Sequence, residues 1–457
     1  MAKNIKQDNK LNETTKIKAP IVDALKTAYE NPTYQFHIPG HTKGKAIFKD
    51  FRKLIGEKAL NIDTTDEFDN LGTLHPATGP IKEAQELAAE AFGAKKTFFL
   101  LNGSTAGNLA LAMSLTKKGQ KVIVNRNCHR SILTGLIISG AEPIWVCPNR
   151  IEDWSVWGNI DGGKIEELLK QNPDTSMVWI TNPTYEGVVS DIKSISNVCK
   201  KYGVPLLVDE AHGCLWNFNK HLPETALKLG ADAVVHSLHK TGGSMSQSSM
   251  LHIAKDSCLD VSAVEKALKL LHTTSPSLML LASLDAARAN LQSNNGQKLL
   301  DRAIKNAKYL RTRLDSIPNL HQLKGDFGYK TDVTKVFIKI DGLSGKRLES
   351  ILEIDFGIEV ESASDIGVIL CNIGNKRSDF KYLADCLEKI ASTNYQDIYY
   401  LEKRKHMPML EPQIKMSLRD AFYTEKETIR KEEAIGRISA EVVAECPPGI
   451  SILLPGE

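Results

Sequence analysis

Residues 231–243 read ADAVVHSLHKTGG: a short apolar run, then Lys240 set among two histidines and a glycine pair. An apolar run of this length fits a strand buried on both faces, and a lysine just past its end stands where open α/β sheets bind ligands. Working outward, similar Val- and Ile-rich runs occur in QKVIVN (120–125), EPIWV (142–146), TSMVWIT (175–181) and VPLLVDEA (204–211). Helical stretches alternate with them between about 80 and 290, among them IKEAQELAAEAFGA (81–94) with Gly93 as a stop. This order predicts an α/β fold with a mainly parallel sheet covered on both faces.

The flanking regions differ. PIVDALKTAYENP (20–32) predicts a helix, and residues 1 to about 18 are polar, of mixed charge, and read as a loose tail. From about 320, TKVFIKI, IEVES and GVILCNI read as strands and GKRLESILEID and DFKYLADCLEKIA as helices, a second and smaller α/β unit. Past 400, the charged TEKETIRKEEAIGRISAEVVA (424–444) is expected to be helical before the turn-rich end.

Composition narrows the function. The 457 residues carry a formal net charge of only +3, with basic and acidic groups interspersed, so the footprint that nucleic-acid binding requires is missing. No secretory leader and no apolar run of membrane-spanning length is seen, which leads us to expect a cytoplasmic protein with a small-molecule partner. The eight cysteines form no CxxC pair, and HIPGH and HSLH lack converging carboxylates, so no metal site is expected.

Four strand ends carry groups suited to chemistry. NGSTAGN (102–108) opens a helix with Ser104 and Thr105, whose hydroxyls and free N–H groups suit a phosphate; the plain alternative is an ordinary N-cap. NRNCHRS (125–131) offers His129 and Ser131, and VDEAHG (208–213) offers Asp209. A histidine in such a place is more often structural than catalytic, and Asp209 read alone could cap a turn. With Lys240 at the fourth end, however, the set matches what pyridoxal 5'-phosphate needs: an amine for its aldehyde, a carboxylate for its ring nitrogen, and hydroxyls, here Ser104, Thr105 and Ser237, for its phosphate.

Further motifs sharpen this. FHIPGHTKG (36–44), FDNLGTLHPATGPIKEAQELAAEAFGA (68–94), NGSTAGN, NRNCHRS, TNPTYEG (181–187), VDEAHG, HSLHKT (236–241), TTSPS (273–277) and EAIGRISAEVVAECPPGISILLPGE (433–457) run in order across nearly the whole chain. Together they resemble the Orn/Lys/Arg decarboxylases of the aspartate aminotransferase-like, PLP-dependent transferase fold. The resemblance implies a major domain (19–320), a small α/β domain (321–400) and a C-terminal decarboxylase domain (401–457). It implies that Lys240 forms the internal aldimine, Asp209 pairs with the ring nitrogen, His129 covers one ring face and Ala211 the other. Ser104, Thr105, Ser237 and His239 would surround the phosphate or support the lysine, with His212 beside the site. Thr274 would reach the phosphate of a neighbouring subunit, making a homodimer with shared sites. A receiver-like wing domain is not expected, so a dimer or tetramer is.

The implied reaction is decarboxylation of a basic L-amino acid, arginine first and lysine or ornithine as alternatives, in polyamine biosynthesis. Glu445, Asp63, Asp66 and Glu67 are candidate partners for the distal cation. An aminotransferase or β-eliminating lyase, or a non-enzymatic protein on the same fold, is the remaining alternative; Arg377 is the sole small-domain arginine weighed for an aminotransferase's carboxylate.

Overall fold

The computed structural model describes residues 17–31, 33–66, 68, 70–325, 329–363, 366–393, 395, 413–445 and 449–457. Its centre is a seven-stranded sheet. Across it the strands run Lys96–Leu100, Ser249–Ile253, Ala233–His236, Leu206–Asp209, Thr175–Thr181, Lys121–Asn125 and Glu142–Val146. The last five are mutually parallel, whereas Ser249–Ile253 runs antiparallel to both of its neighbours.

The buried runs follow from the two-sided cover. Ala233 and Val235 pack with Leu111, Ile132 and Leu133 on one side, while Val234 packs with Ile180, Val208 and Ile195 on the other. Each apolar side chain removed from water in this way contributes about 1.5–3 kcal/mol. Helix Gly103–Leu115 lies close to the sheet because Gly107 has no side chain: a Cβ there would meet Leu100 Cδ1 at 2.9 Å and Val235 Cγ1 at 3.1 Å.

Strand order reverses beside Lys121–Asn125: the chain adds Glu142–Val146 on one flank, then Thr175–Thr181 on the other. A crevice at the carboxyl ends of the strands is expected at such a switch point. In register, Thr181 faces Asp209 and Asp209 faces Val235, so three strand ends open onto one place.

The long helix Asn294–Leu314 leads from this layer to an antiparallel four-stranded sheet, Leu320–Gln322, Lys335–Ile340, Ile366–Leu370 and Glu361–Ala363, backed by helices Gly345–Phe356 and Arg377–Ser392. A separate two-residue ladder pairs Val188–Val189, which follow strand Thr175–Thr181, with Lys330–Thr331, which precede strand Lys335–Ile340.

Two expectations need correction. The strand in IEVES covers only its end, starting at Glu361. The helix over 424–444 does not form: the short helix is Leu418–Tyr423, and from there to residue 442 the chain is irregular and mostly exposed apart from a single turn at Lys431–Glu433, before strand Val443–Glu445 pairs with Ile450–Leu453. Ile435 is 92% and Ile438 48% exposed, and a charged helix without a buried apolar stripe has little to hold it. Of the expected tail only residues 17 and 18 are described, and the Lys18 carbonyl accepts from Arg288 Nη2 at 2.7 Å. The boundary expected at 400 lies outside the described residues.

Candidate functional site

Asp209 ends its strand 2% exposed, and burying a carboxylate there demands donors. Asn108 Nδ2 donates to Oδ2 at 3.0 Å and the Ala211 backbone N–H to Oδ1 at 3.2 Å. The adjacent Glu210, fully buried, is held by a different set: Thr225 Oγ1 at 2.7 Å, the Ala226 N–H at 2.8 Å and His236 Nε2 at 2.7 Å. Of the two acids, Glu210 is thus bound into the wall, and Asp209 is the one presented at the strand end.

Lys240 sits in the turn of helix Leu238–Thr241 that follows strand Ala233–His236. Its Nζ lies 2.9 Å from His212 Nε2. Burial pushes the Lys240 amine below its ordinary range, against the opposing pull of Asp209 and Glu361. Burial, with the Lys240 and Lys335 charges behind it, pushes His212 well below the usual imidazole range, so its Nε2 accepts and the lysine donates. A lysine so desolvated is closer to a nucleophile than an exposed one.

His129 caps helix Arg130–Ser139: its Nδ1 accepts from the Ser131 N–H at 3.2 Å and contacts Ser131 Oγ at 2.8 Å. Asn108 Nδ2 also reaches Ser131 Oγ at 2.9 Å, so one amide joins the Asp209 and His129 groups. Burial lowers the His129 pKa while Asp209 raises it. The carboxyl-terminal segment closes on this histidine. Arg130 N–H donates to the Gly449 carbonyl at 3.1 Å, and a Cβ on Gly449 (φ +80°) would stand 3.0 Å from His129 Nε2.

Ser104 Oγ and Ser237 Oγ meet at 2.5 Å, joining the start of helix Gly103–Leu115 to the lysine turn. No side chain caps that helix, and Thr105, half-buried, lies in its first turn. Open N–H groups, two hydroxyls and a helix dipole suit a phosphate. His239 Nδ1 donates to the Ser248 carbonyl at 2.9 Å. The residues present therefore fit pyridoxal phosphate: a buried acid, a desolvated amine and an anion cradle share one end of the sheet.

Thr274 is exposed after helix Val261–Leu271. Asp63 is paired with His41 Nε2 at 3.1 Å, and Asp66 is buried and accepts from the Leu74 N–H at 3.2 Å. Glu67 and the Glu445 side chain lie outside the described residues. Arg377 stacks on the Tyr309 ring at 3.3 Å and donates to Asn306 Oδ1 at 3.4 Å, so it is committed to the long helix.

Sequence reasoning missed Asn108, Tyr185, Lys335 and Glu361. Tyr185 packs edge-on against His212 at 5.7 Å between centroids and donates to Glu361 Oε2 at 2.9 Å. Asn108 and Tyr185 lie inside stretches that stood out, NGSTAGN and TNPTYEG; Lys335 heads an ordinary strand and carried no signal.

A family model described as Orn/Lys/Arg decarboxylase, major domain, matches residues 19–338. The chain is 39% identical over 448 residues to an arginine decarboxylase of Bacillus subtilis, covering 96% of this chain and 90% of that one. It is 38% identical to an arginine decarboxylase of Bacillus cereus, covering 96% of each. Among solved structures, lysine decarboxylase A from Pseudomonas aeruginosa superposes with a TM-score of 0.83 at 23% identity, over 96% of this chain and 74% of that one.

Proposed function

The chain belongs to the Orn/Lys/Arg decarboxylase family and is a decarboxylase, and from that premise we propose that it uses pyridoxal 5'-phosphate to convert arginine to agmatine and carbon dioxide. The observation that carries the cofactor reading is Asp209, a buried acid in parallel register with the strand whose following turn presents Lys240. Support for arginine comes from four relatives named arginine decarboxylase at 37–39% identity over nearly the whole chain, whereas a lysine decarboxylase of Pseudomonas aeruginosa is 30% identical over 65% of it. Lysine is the runner-up.

In this reading Lys240 anchors the cofactor covalently and Asp209 keeps its ring nitrogen protonated. Ser104, Thr105, Ser237 and His239 hold or back the phosphate, His129 and Ala211 flank the ring, and His212 fixes the Lys240 amine. When bound, the cofactor supplies an electron sink for the pair left behind as carbon dioxide departs. Asn108 orients Asp209, so that the charge on the ring is fixed before the reaction begins. The Gly449 segment packs against His129 and so fixes that ring.

We further read the unit as a homodimer whose Thr274 crosses to the partner. Tyr34 is 95%, Phe36 98% and Leu54 82% exposed in the single chain, an apolar display that a second copy would cover. A cytoplasmic setting is in keeping with the thiols of Cys128, Cys199, Cys214, Cys371 and Cys386, buried and unbridged. We place the major domain at 19–320, the small domain at 321–400 and the decarboxylase C-terminal domain at 401–457.

The test is to incubate the purified protein and pyridoxal phosphate separately with arginine, lysine and ornithine, measuring carbon dioxide and amine. Agmatine with equimolar carbon dioxide is expected; keto acid without carbon dioxide would overturn the reading. Lys240→Ala should abolish turnover and the cofactor's lysine-bound absorbance.

A further inference from the structure

Lys335 opens strand Lys335–Ile340 and is 2% exposed, an expensive place for an amine. Its stem runs along the TNPTYEG turn where Gly187 leaves room: a Cβ there would lie 3.0 Å from Lys335 Cβ, in a backbone at φ +97°. The Nζ lies 5.0 Å from the Tyr185 ring centroid. That ring touches His212, which holds Lys240 at 2.9 Å. The two lysine amines therefore both end at the Tyr185–His212 pair, one against each ring.

Among the described residues, Lys335 Nζ has no hydrogen-bond partner. Glu186, Asp332 and Glu361 act on it through their charges, and Lys240 opposes them. All three acids have donors of their own, Glu186 from Thr184 and its own backbone N–H, with burial raising its carboxyl. Asp332 accepts from Trp216 Nε1 at 2.8 Å and Thr334 Oγ1 at 2.7 Å, and Glu361 accepts from the Tyr185 hydroxyl at 2.9 Å. A buried amine with its N–H groups unmade is poorly explained by packing, which a methionine would serve better.

We propose that Lys335 is the receptor for the α-carboxylate of the substrate amino acid. This rests on the reading of the site as an amino-acid decarboxylase. The cofactor's phosphate already has its cradle at Ser104 and Ser237, whereas Lys335 stands beside Lys240, whose place the substrate amine takes. One carbon separates that amine from the carboxylate, so the carboxylate is the anion that reaches Lys335. Burial and the Lys240 charge hold the Lys335 amine at about 7, so its grip is partial. A partial grip orients the carboxylate without stabilising it so strongly that its loss is opposed. Glu186, Asp332 and Glu361 remain to compensate the amine after carbon dioxide leaves, and His212, on which the Lys335 charge also acts, is pushed well below the usual imidazole range by burial.

The experiment uses pyridoxal-phosphate-loaded protein carrying Lys240→Ala, which binds without turnover, and follows arginine and agmatine binding by absorbance. Adding Lys335→Met or Lys335→Gln should raise the Kd for arginine about 10- to 100-fold and leave that for agmatine within about threefold. General damage to the fold would weaken both ligands alike, and that result, or no change in either, overturns the proposal. If the unsubstituted protein binds none of arginine, lysine and ornithine, the functional reading fails and takes this inference with it; if it binds them and the arginine-to-agmatine ratio ignores Lys335, only this inference fails.

Discussion

Acid should weaken this fold through a histidine pair at the base of the TTSPS segment. His75 Nε2 and His272 Nδ1 lie 2.7 Å apart, so one nitrogen donates and the other accepts, and a second proton has no place between them. Burial lowers His272 to about 4, with the His75 charge acting in the same direction. His75 is lowered by burial too, Glu265 opposing and Lys269 assisting. In the unfolded chain both would titrate near 6.5. Above that pH neither state binds the proton and the pair contributes no pH dependence. Below it the unfolded chain takes up a proton that the native state refuses, so stability falls as pH falls, levelling off near the native value of about 4. Over that interval His272 alone accounts for a loss of about 3 kcal/mol. Buried His212 and His252, held well below the imidazole range, add to it with the same sign. Urea midpoints from tryptophan fluorescence at about pH 7.5 and about 4.5 measure the effect. His272→Gln should begin less stable at neutral pH and then lose about 3 kcal/mol less on acidification. Parallel curves for the two proteins would refute a neutral, buried His272. Because the residues after His272 lead to Thr274, activity at low protein concentration should fall over the same pH range.

Two more outcomes are expected. Asn108→Leu removes the donor shared by Asp209 and Ser131, and loss of a hydrogen bond to a charged group should weaken pyridoxal phosphate retention about 10- to 100-fold by equilibrium dialysis; unchanged retention would show that Asn108 does not support the acid. Thr274→Ala mixed in equal amounts with Lys240→Ala should recover about a quarter of the wild-type rate, since half the dimers are then mixed and each holds one intact site. No recovery would place Thr274 in its own subunit's site, and full activity of Thr274→Ala alone would place it in none.

The fold was legible where burial is two-sided. Runs such as PLLV and AVV are apolar throughout because both faces are covered, and Gly93 stands at a helix end in the left-handed conformation that favours glycine. Legibility failed where stability depends on what an element packs against. The stretch 424–444 has helix-forming residues and no stripe to bury, and Ser249–Ile253 went unmarked because His252 and Ser249 interrupt its apolar character. His252 is buried all the same, bonded to Thr97 Oγ1 at 2.8 Å and stacked on Phe92 at 4.5 Å.

The site divides along the same physical line. Asp209, Lys240, Ser104, Ser237 and His129 were visible because a polar group just past a buried strand needs a reason to be there. Lys335 was invisible because its cost appears only in three dimensions. In the sequence it is one lysine in an alternating strand, TKVFIKI, like Lys339, whose Nζ donates to the Asp153 carbonyl at the surface. Only the layout of the two sheets, with the segments beside them paired in the Val188–Thr331 ladder, turns the first lysine inward against Gly187 while the second stays outside. The same ladder pairs the segment before strand Lys335–Ile340 with the one after strand Thr175–Thr181, so movement of the small domain should shift Lys335 relative to Lys240, and substrate positioning should be sensitive to Gly187, where any side chain would press on the Lys335 stem.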